Sequence, residues 1–327
     1  MKANIKPQRI NWIDQVKGIG ILLVVIGHMN IPQELSKIIF SFHMPLFFFI
    51  SGYLYNDKKY SINFKTVFFS KLNTLLWPFI TFTIFYLILS VFINHNSITQ
   101  SFDYVEFFKG NRSLNTPLWF LSALFSTEII FSQIIRFFNT RKAIFLIFLI
   151  IVIGFSNAIF LRYSFFLNID IALVTILFFL VGWLFKKYNW DKSIFKKGRT
   201  LLYIIIAAII LLLTSLTNEK INILENIYGN LILMLLAVIF GISLTILLAK
   251  QFLNFKFLRI VFEYFGKNSL IILGVHIILA PFVVSIFGQM PLRLDRVLSL
   301  GLIFLSIELI NRYFPIILQL KGLKKIK

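Results

Sequence analysis

The sequence predicts an all-α fold: a polytopic membrane helical bundle of about ten transmembrane helices with both termini cytoplasmic. Three observations predict it. Hydrophobic residues make up 58% of the chain and charged ones only 14%, whereas a soluble domain is near half apolar and a quarter charged. A core cannot absorb that much apolar surface, so the excess faces lipid. Apolar stretches near bilayer length recur between polar breaks, and the Lys and Arg residues of those breaks change side with every crossing.

The first span is placed at residues 18–33, after Lys2, Lys6 and Arg9. That start resembles a signal peptide, but no small-x-small cleavage site follows and the stretch is long enough to span, so it is read as retained. The second lies at 38–55, the third at 72–93 and the fourth at 117–137, opening near Trp119. Further spans follow at 143–161, 169–185, 201–217, 228–249, 269–287 and 297–320. The shorter ones are expected to be tilted, broken or buried by neighbours. Loops on one side hold 25 Lys and Arg and those on the other hold seven, with Arg312 inside the last span. A missed or invented helix would scramble this alternation, and the basic side is the cytoplasmic one.

The same distribution makes the net charge of +20 a signal of topology, with no nucleic-acid partner required. No soluble domain follows the tenth span, so residues 1–327 are read as one integral membrane domain. The longest outer loop, 94–116, contains His95, Asp103, Glu106, Lys109 and Arg112 and is long enough to shape an external surface. Cysteine is absent, which excludes disulfides, thiolate metal sites and a cysteine nucleophile. The four histidines and scattered acids form no compact zinc-ligand spacing, so no metal is expected. Neither a phosphate-binding glycine loop nor a nucleophile-elbow serine is present.

The residues that call for a chemical reason lie in the first two spans. Lys17 and His28 are 11 residues apart, about three helical turns, which puts them within about 20° of one face with about 16 Å of rise between them. Lys17 is expected at the cytoplasmic rim, either snorkelling or holding an anion. His28 is expected beyond the bilayer midplane, towards the outside. His43 enters the second span from the outer side, within about 5 Å of His28 in depth. Intramembrane ionisable groups default to functional candidates, and two imidazoles at one depth look like a site. Asp14, one turn before Lys17, orients its ammonium or touches substrate. Gly18, Gly20, Gly27, Ser51 and Gly52 are small enough for close helix approach. Trp119 belongs to an interfacial aromatic belt or stacks on a ligand. His276 is at intermediate depth in its own span, and only the helix arrangement can connect it to the others. Glu308 and Arg312, i and i+4, are expected to pair.

Lys17-x10-His28, the preceding "WID" with Asp14, "FHMPLFFFISGY" at 42–53, "PLWFLSALF" at 117–125 and "GKNSLIILGVHI" at 266–277 together resemble the membrane-bound acyltransferase family 3. Its fucose 4-O-acetylase-like, or polysaccharide O-acetyltransferase, branch is the nearest. That family's first span more often carries arginine where Lys17 stands; lysine keeps the charge and loses the bidentate fork. The resemblance implies ten or so helices that move an acyl group, acetyl first among the candidates, from cytoplasmic acyl-CoA to a hydroxyl of a cell-surface or lipid-linked sugar, in a bacterial plasma membrane. Lys17 would then anchor the CoA phosphates with help from Arg9 and Lys71, and His28 would be the general base. His43 would orient His28, polarise the thioester carbonyl or bond a backbone carbonyl, with Ser51, Asp14, Trp119 and His276 in supporting positions. The competing reading from another class is a proton-coupled exporter of polysaccharide or small molecules. The expected geometry is a common tunnel with Lys17 and His28 along one wall.

Overall fold

In lipid every backbone N–H and C=O needs a partner within the protein, and a helix supplies all of them locally. The computed structural model describes residues 11–29, 31–60, 63–94, 104–110, 116–190, 200–288 and 294–319, and these are almost wholly helical. The helices are α1 (Asn11–Gly27), α2 (Gln33–Leu54), α3 (Phe64–Lys71), α4 (Trp77–Asn94), α5 (Tyr104–Lys109), α6 (Trp119–Phe137) and α7 (Thr140–Ser156). They continue with α8 (Ile169–Lys187), α9 (Thr200–Thr217), α10 (Leu231–Phe252), α11 (Lys256–Lys267), α12 (Ser269–Phe287) and α13 (Leu294–Tyr313). A π-helical turn, Leu72–Leu76, joins α3 to α4. Asparagine caps set several starts: the side chain of Asn139 accepts from the Lys142 amide, and that of Asn230 from the Ile232 and Leu233 amides.

Each of the ten predicted stretches holds a helix. Seven segments among the described residues are long and apolar enough to cross a membrane: Gln33–Leu54, Phe64–Val91, Trp119–Phe137, Thr140–Leu161, Phe166–Lys187, Thr200–Thr217 and Leu231–Phe252. The pair α11 and α12, bent by 78°, passes the same test together and is either a broken span, which makes eight, or a re-entrant loop. The first and tenth predicted spans are the weaker ones. Helix α1 has 17 residues, about 26 Å of rise against a hydrocarbon core of about 30 Å. Helix α13 carries Asp295, Arg296, Glu308 and Arg312. The boundary of the first span also shifts: its helix runs from residue 11 to residue 27 instead of 18 to 33.

Helix α2 is the central strut, packing on α1, α8, α9 and α10. Two crossings are close enough to bring backbones together. A side chain on Gly52 of α2 would collide with the Phe179 carbonyl of α8, and one on Gly182 of α8 with the Phe49 carbonyl of α2. Likewise Gly18 of α1 faces the Phe262 carbonyl of α11, while Gly266 of α11 faces the Asp14 carbonyl of α1. These are the small-residue crossings expected where lipid gives helices no hydrophobic reason to associate. We expect Gly52→Leu to destabilise the fold by at least about 2 kcal/mol, read as loss of thermal stability in detergent. Gly301→Leu is the control, since nothing lies within 4 Å of the position where its side chain would begin.

Helix α11 was placed by the sequence in an inner loop. It is an amphipathic helix that carries Lys256, Arg259 and Lys267 and packs along α1. Outward faces are apolar, with Phe145, Phe148, Leu201 and Leu213 exposed. The inside is aromatic: Phe131 packs on Phe179 with ring centroids 4.8 Å apart, on Tyr55 at 5.2 Å and on Trp183 at 5.6 Å. The abundant phenylalanine therefore serves both the lipid face and the core. Glu308 and Arg312 do not pair: Glu308 accepts a hydrogen bond from the Tyr264 hydroxyl at 3.2 Å, and Arg312 lies over Tyr313.

Candidate functional site

Three histidines meet near the C-terminal end of α1, the outer end in the expected topology. His28 follows Gly27, the last residue of that helix, so it sits at the helix end instead of well inside a span. His43 lies in α2 and His276 in α12, both buried. The ring centroids of His28 and His276 are 5.2 Å apart. Phe40 stands between His28 and His43, at 6.0 Å from the first and 5.0 Å from the second. His276, whose connection sequence could not supply, thus packs directly against His28.

All three rings make the same local hydrogen bond. The Nδ1 atom of His28 is 2.8 Å from the Val24 carbonyl, that of His43 is 2.7 Å from Ile39, and that of His276 is 2.9 Å from Ile272. Each carbonyl belongs to the residue four positions earlier. A carbonyl oxygen has no proton to give, so Nδ1 must carry the hydrogen and the neutral ring keeps its lone pair on Nε2. The backbone therefore sets the tautomer that leaves a base on the outward nitrogen. For His276 that nitrogen is buried and has no hydrogen-bond partner among the described residues.

His28 and His43 border a cavity of about 220 Å³, the outer one in the expected topology, which is also lined by Phe40, Trp119 and the loop segment 221–225; His276 stands against His28 without lining it. Trp119 is buried and faces this cavity, so it does not belong to an interfacial belt. Asn168 fixes its position, donating from Nδ2 to the Trp119 carbonyl at 3.3 Å, the Gly110 carbonyl at 3.1 Å and Ser122 Oγ at 2.7 Å.

The loop between α9 and α10 was read in the sequence only as a short polar break. It is a built cap. The Asn218 side chain accepts from the Asn230 amide at 2.8 Å and donates to the Tyr228 carbonyl at 3.2 Å. Asn222 and Ile227 form an antiparallel bridge, and Lys37 of α2 donates to the Asn218 carbonyl at 2.9 Å. Asn226 and Gly229 take positive φ, 57° and 59°, a conformation those residue types tolerate. The available signal was asparagine at 218, 222, 226 and 230 with Gly229, which is turn chemistry. The cap sets Lys220 Nζ 4.3 Å over the Phe40 ring and brings Glu225 and Asn222 to the cavity wall. Of the long 94–116 loop, the described part does not reach this wall; His95 lies outside the described residues.

A second, inner cavity of about 210 Å³ is lined by Lys17, Ser51 (whose hydroxyl donates to the Phe47 carbonyl), Thr74 and Ser269 among apolar side chains. Inner and outer cavities have two lining residues in common, Met44 and Leu273. Where sequence led to one continuous tunnel, the described residues form two chambers: Lys17 lines one and His28 the other, and the two abut across those two side chains. The physical reason is that α2 and α12, which both pack on α1, each send a side chain to the boundary, which the Lys17–His28 spacing on α1 alone could not reveal. Asp14 is buried and lines neither cavity.

Arg9 lies outside the described residues. Lys71 forms an ion pair with buried Glu128 of α6 and sits 4.7 Å over the Tyr60 ring. Its charge is engaged within the protein, one residue before the π-helical turn that gives Thr74 and Leu75 to the inner cavity. A third cavity of about 410 Å³, between α2, α8 and α10, is lined by apolar side chains and Ser243 and holds no group able to move a proton at neutral pH.

The arrangement offers a cation in one chamber and a group of proton acceptors in the next. A comparison with family models matches the acyltransferase domain (acyltransferase 3) over residues 10–309. No curated protein and no solved structure matches the chain.

Proposed function

Since the chain belongs to the acyltransferase 3 family, we propose that this multi-pass membrane acyltransferase moves an acetyl group from cytoplasmic acetyl-CoA to a sugar hydroxyl on the outer side of a bacterial plasma membrane. The observation that supports this most is the pair of abutting chambers, one lined by Lys17 and the other by His28 and His43, with His276 packed against His28. Lys17 holds a CoA phosphate at the inner mouth, and the pantetheine arm carries the thioester towards Met44 and Leu273. The acceptor hydroxyl gives its proton to His28 Nε2 as its oxygen attacks the thioester carbonyl. The C–S bond breaks, and the CoA thiolate takes that proton back from the His28 imidazolium, which restores the neutral base. Trp119 offers a face for a sugar ring, and Asn222 and Glu225 offer polar groups for its hydroxyls. His43 and His276 stand behind His28 as further acceptors. Transfer is direct, within a ternary complex; a burst with trapped acyl-enzyme would instead favour an acyl-histidine.

An exporter would also use intramembrane histidines, but family membership and the divided cavity favour the enzyme. The test is labelled acetyl-CoA with purified protein in detergent and a set of cell-surface glycans as acceptors. Label in the glycan is expected. Lys17→Ala should raise the KM for the donor about tenfold, the loss of roughly one charge-assisted contact, with a smaller change in kcat. Transport without acetylated product would overturn the reading.

A further inference from the structure

A transferase that brings a cytosolic thioester to a hydroxyl across the bilayer faces two opposed demands. The acyl group must pass, and protons and ions must not. The two chambers meet at Met44 and Leu273, which are 8% and 6% exposed and are the lining residues they share. Each belongs to a helix that also carries a site histidine. Met44 follows His43 directly on α2, and Leu273 lies three residues before His276 on the same side of α12.

The two side chains differ in what they can do. Methionine is unbranched, with several rotatable bonds and a soft thioether, and re-packs readily. Leucine is branched and holds fewer conformations. Pro45, next to Met44, has no N–H to give to the Ser41 carbonyl, so α2 lacks one ladder bond at this level. Leu273 sits on the firmer side, where Gly274 lets α12 close onto the buried Phe82 of α4.

We propose that Met44 and Leu273 form a gate between the donor and acceptor chambers, closed at rest, which the thioester end of the donor pushes open and whose width restricts the donor to short acyl chains. This rests on the acyltransferase reading given above. Closure keeps the aqueous sides apart between turnovers. Opening needs only a rotamer change at Met44, and the acyl group then fills the gap and reaches His28. A longer chain must displace Leu273 or the backbone and so is rejected. The gate thus fixes both the membrane seal and the acyl specificity with one pair of residues.

The experiment compares acetyl-CoA with butyryl-CoA as donors for wild type, Met44→Ala and Met44→Leu, each purified in detergent. In Met44→Ala the ratio of kcat/KM for butyryl over acetyl should rise about tenfold or more, the scale on which added methylenes are discriminated by an apolar wall. Met44→Leu conserves volume and should keep the wild-type ratio within about threefold. The second readout needs no turnover: in proteoliposomes with a trapped pH dye, Met44→Ala/Leu273→Ala should collapse an imposed proton gradient faster than wild type. An unchanged ratio in folded Met44→Ala, or an unchanged leak in the double variant, overturns the gate. Should Met44→Ala fail to fold, Leu273→Val is read by the same ratio. A wild type that transfers acetyl with an unmoved ratio in the variants sinks the gate alone, whereas a wild type that takes no acyl group from any acyl-CoA sinks the acyltransferase reading.

Discussion

His28→Ala is expected to lower acyl transfer by at least about 100-fold, the lower bound for losing a positioned general base, while the protein remains inserted and folded. The side chain is exposed to the outer cavity at the end of α1, so its removal leaves no core void, and α1 keeps its packing through Gly18 and Gly27. The backbone bond to Val24 leaves Nε2 as the free base. His28→Asn should therefore fail as well, because an amide nitrogen has no basic lone pair. Donor KM should move far less than kcat in both variants. The measurement is a steady-state rate at saturating acetyl-CoA, with membrane localisation and a detergent melting curve as controls. Wild-type rates in either variant would remove His28 from the chemistry.

The second large effect concerns stability. Lys71→Met leaves Glu128 buried without its counter-charge, which should cost about 3–5 kcal/mol. Lys71→Met/Glu128→Leu should recover most of that loss, because a buried pair replaced by apolar groups is close to neutral. A double-mutant cycle on thermal unfolding in detergent measures the coupling. The same double variant also tests Lys71 as a ligand for CoA phosphate. If its charge serves the fold, donor KM in the double variant should change less than in Lys17→Ala. A larger rise than in Lys17→Ala would assign Lys71 to the donor.

Legibility differs between levels of the structure. The helices were readable because a bilayer enforces apolar length and internal hydrogen bonding on every span, and α2, α8 and α10 stand close to where hydropathy puts them. The first boundary was not readable. Helix α1 is short and packed by α2, α10, α11 and α12, so its start answers to neighbours as much as to lipid. Helix α11 was missed for the same reason: its charges read as a loop until Gly266 and Phe262 are seen against α1. Lys17 and His28 could be singled out because an ionisable group in an apolar run needs a purpose.

Sequence by itself determined that this is a helical membrane protein, and it singled out Lys17, His28 and His43 as the ionisable groups to watch. These follow from composition and local period, which act over a few turns. Only the tertiary structure decided that His276 joins His28, that the Asn218–Asn230 segment caps the outer chamber, that Glu128 claims Lys71, and that Met44 and Leu273 divide the path. Each of those depends on which helices touch, and in lipid that is set by close packing of small residues and a few polar contacts between distant segments, which no single stretch of chain encodes.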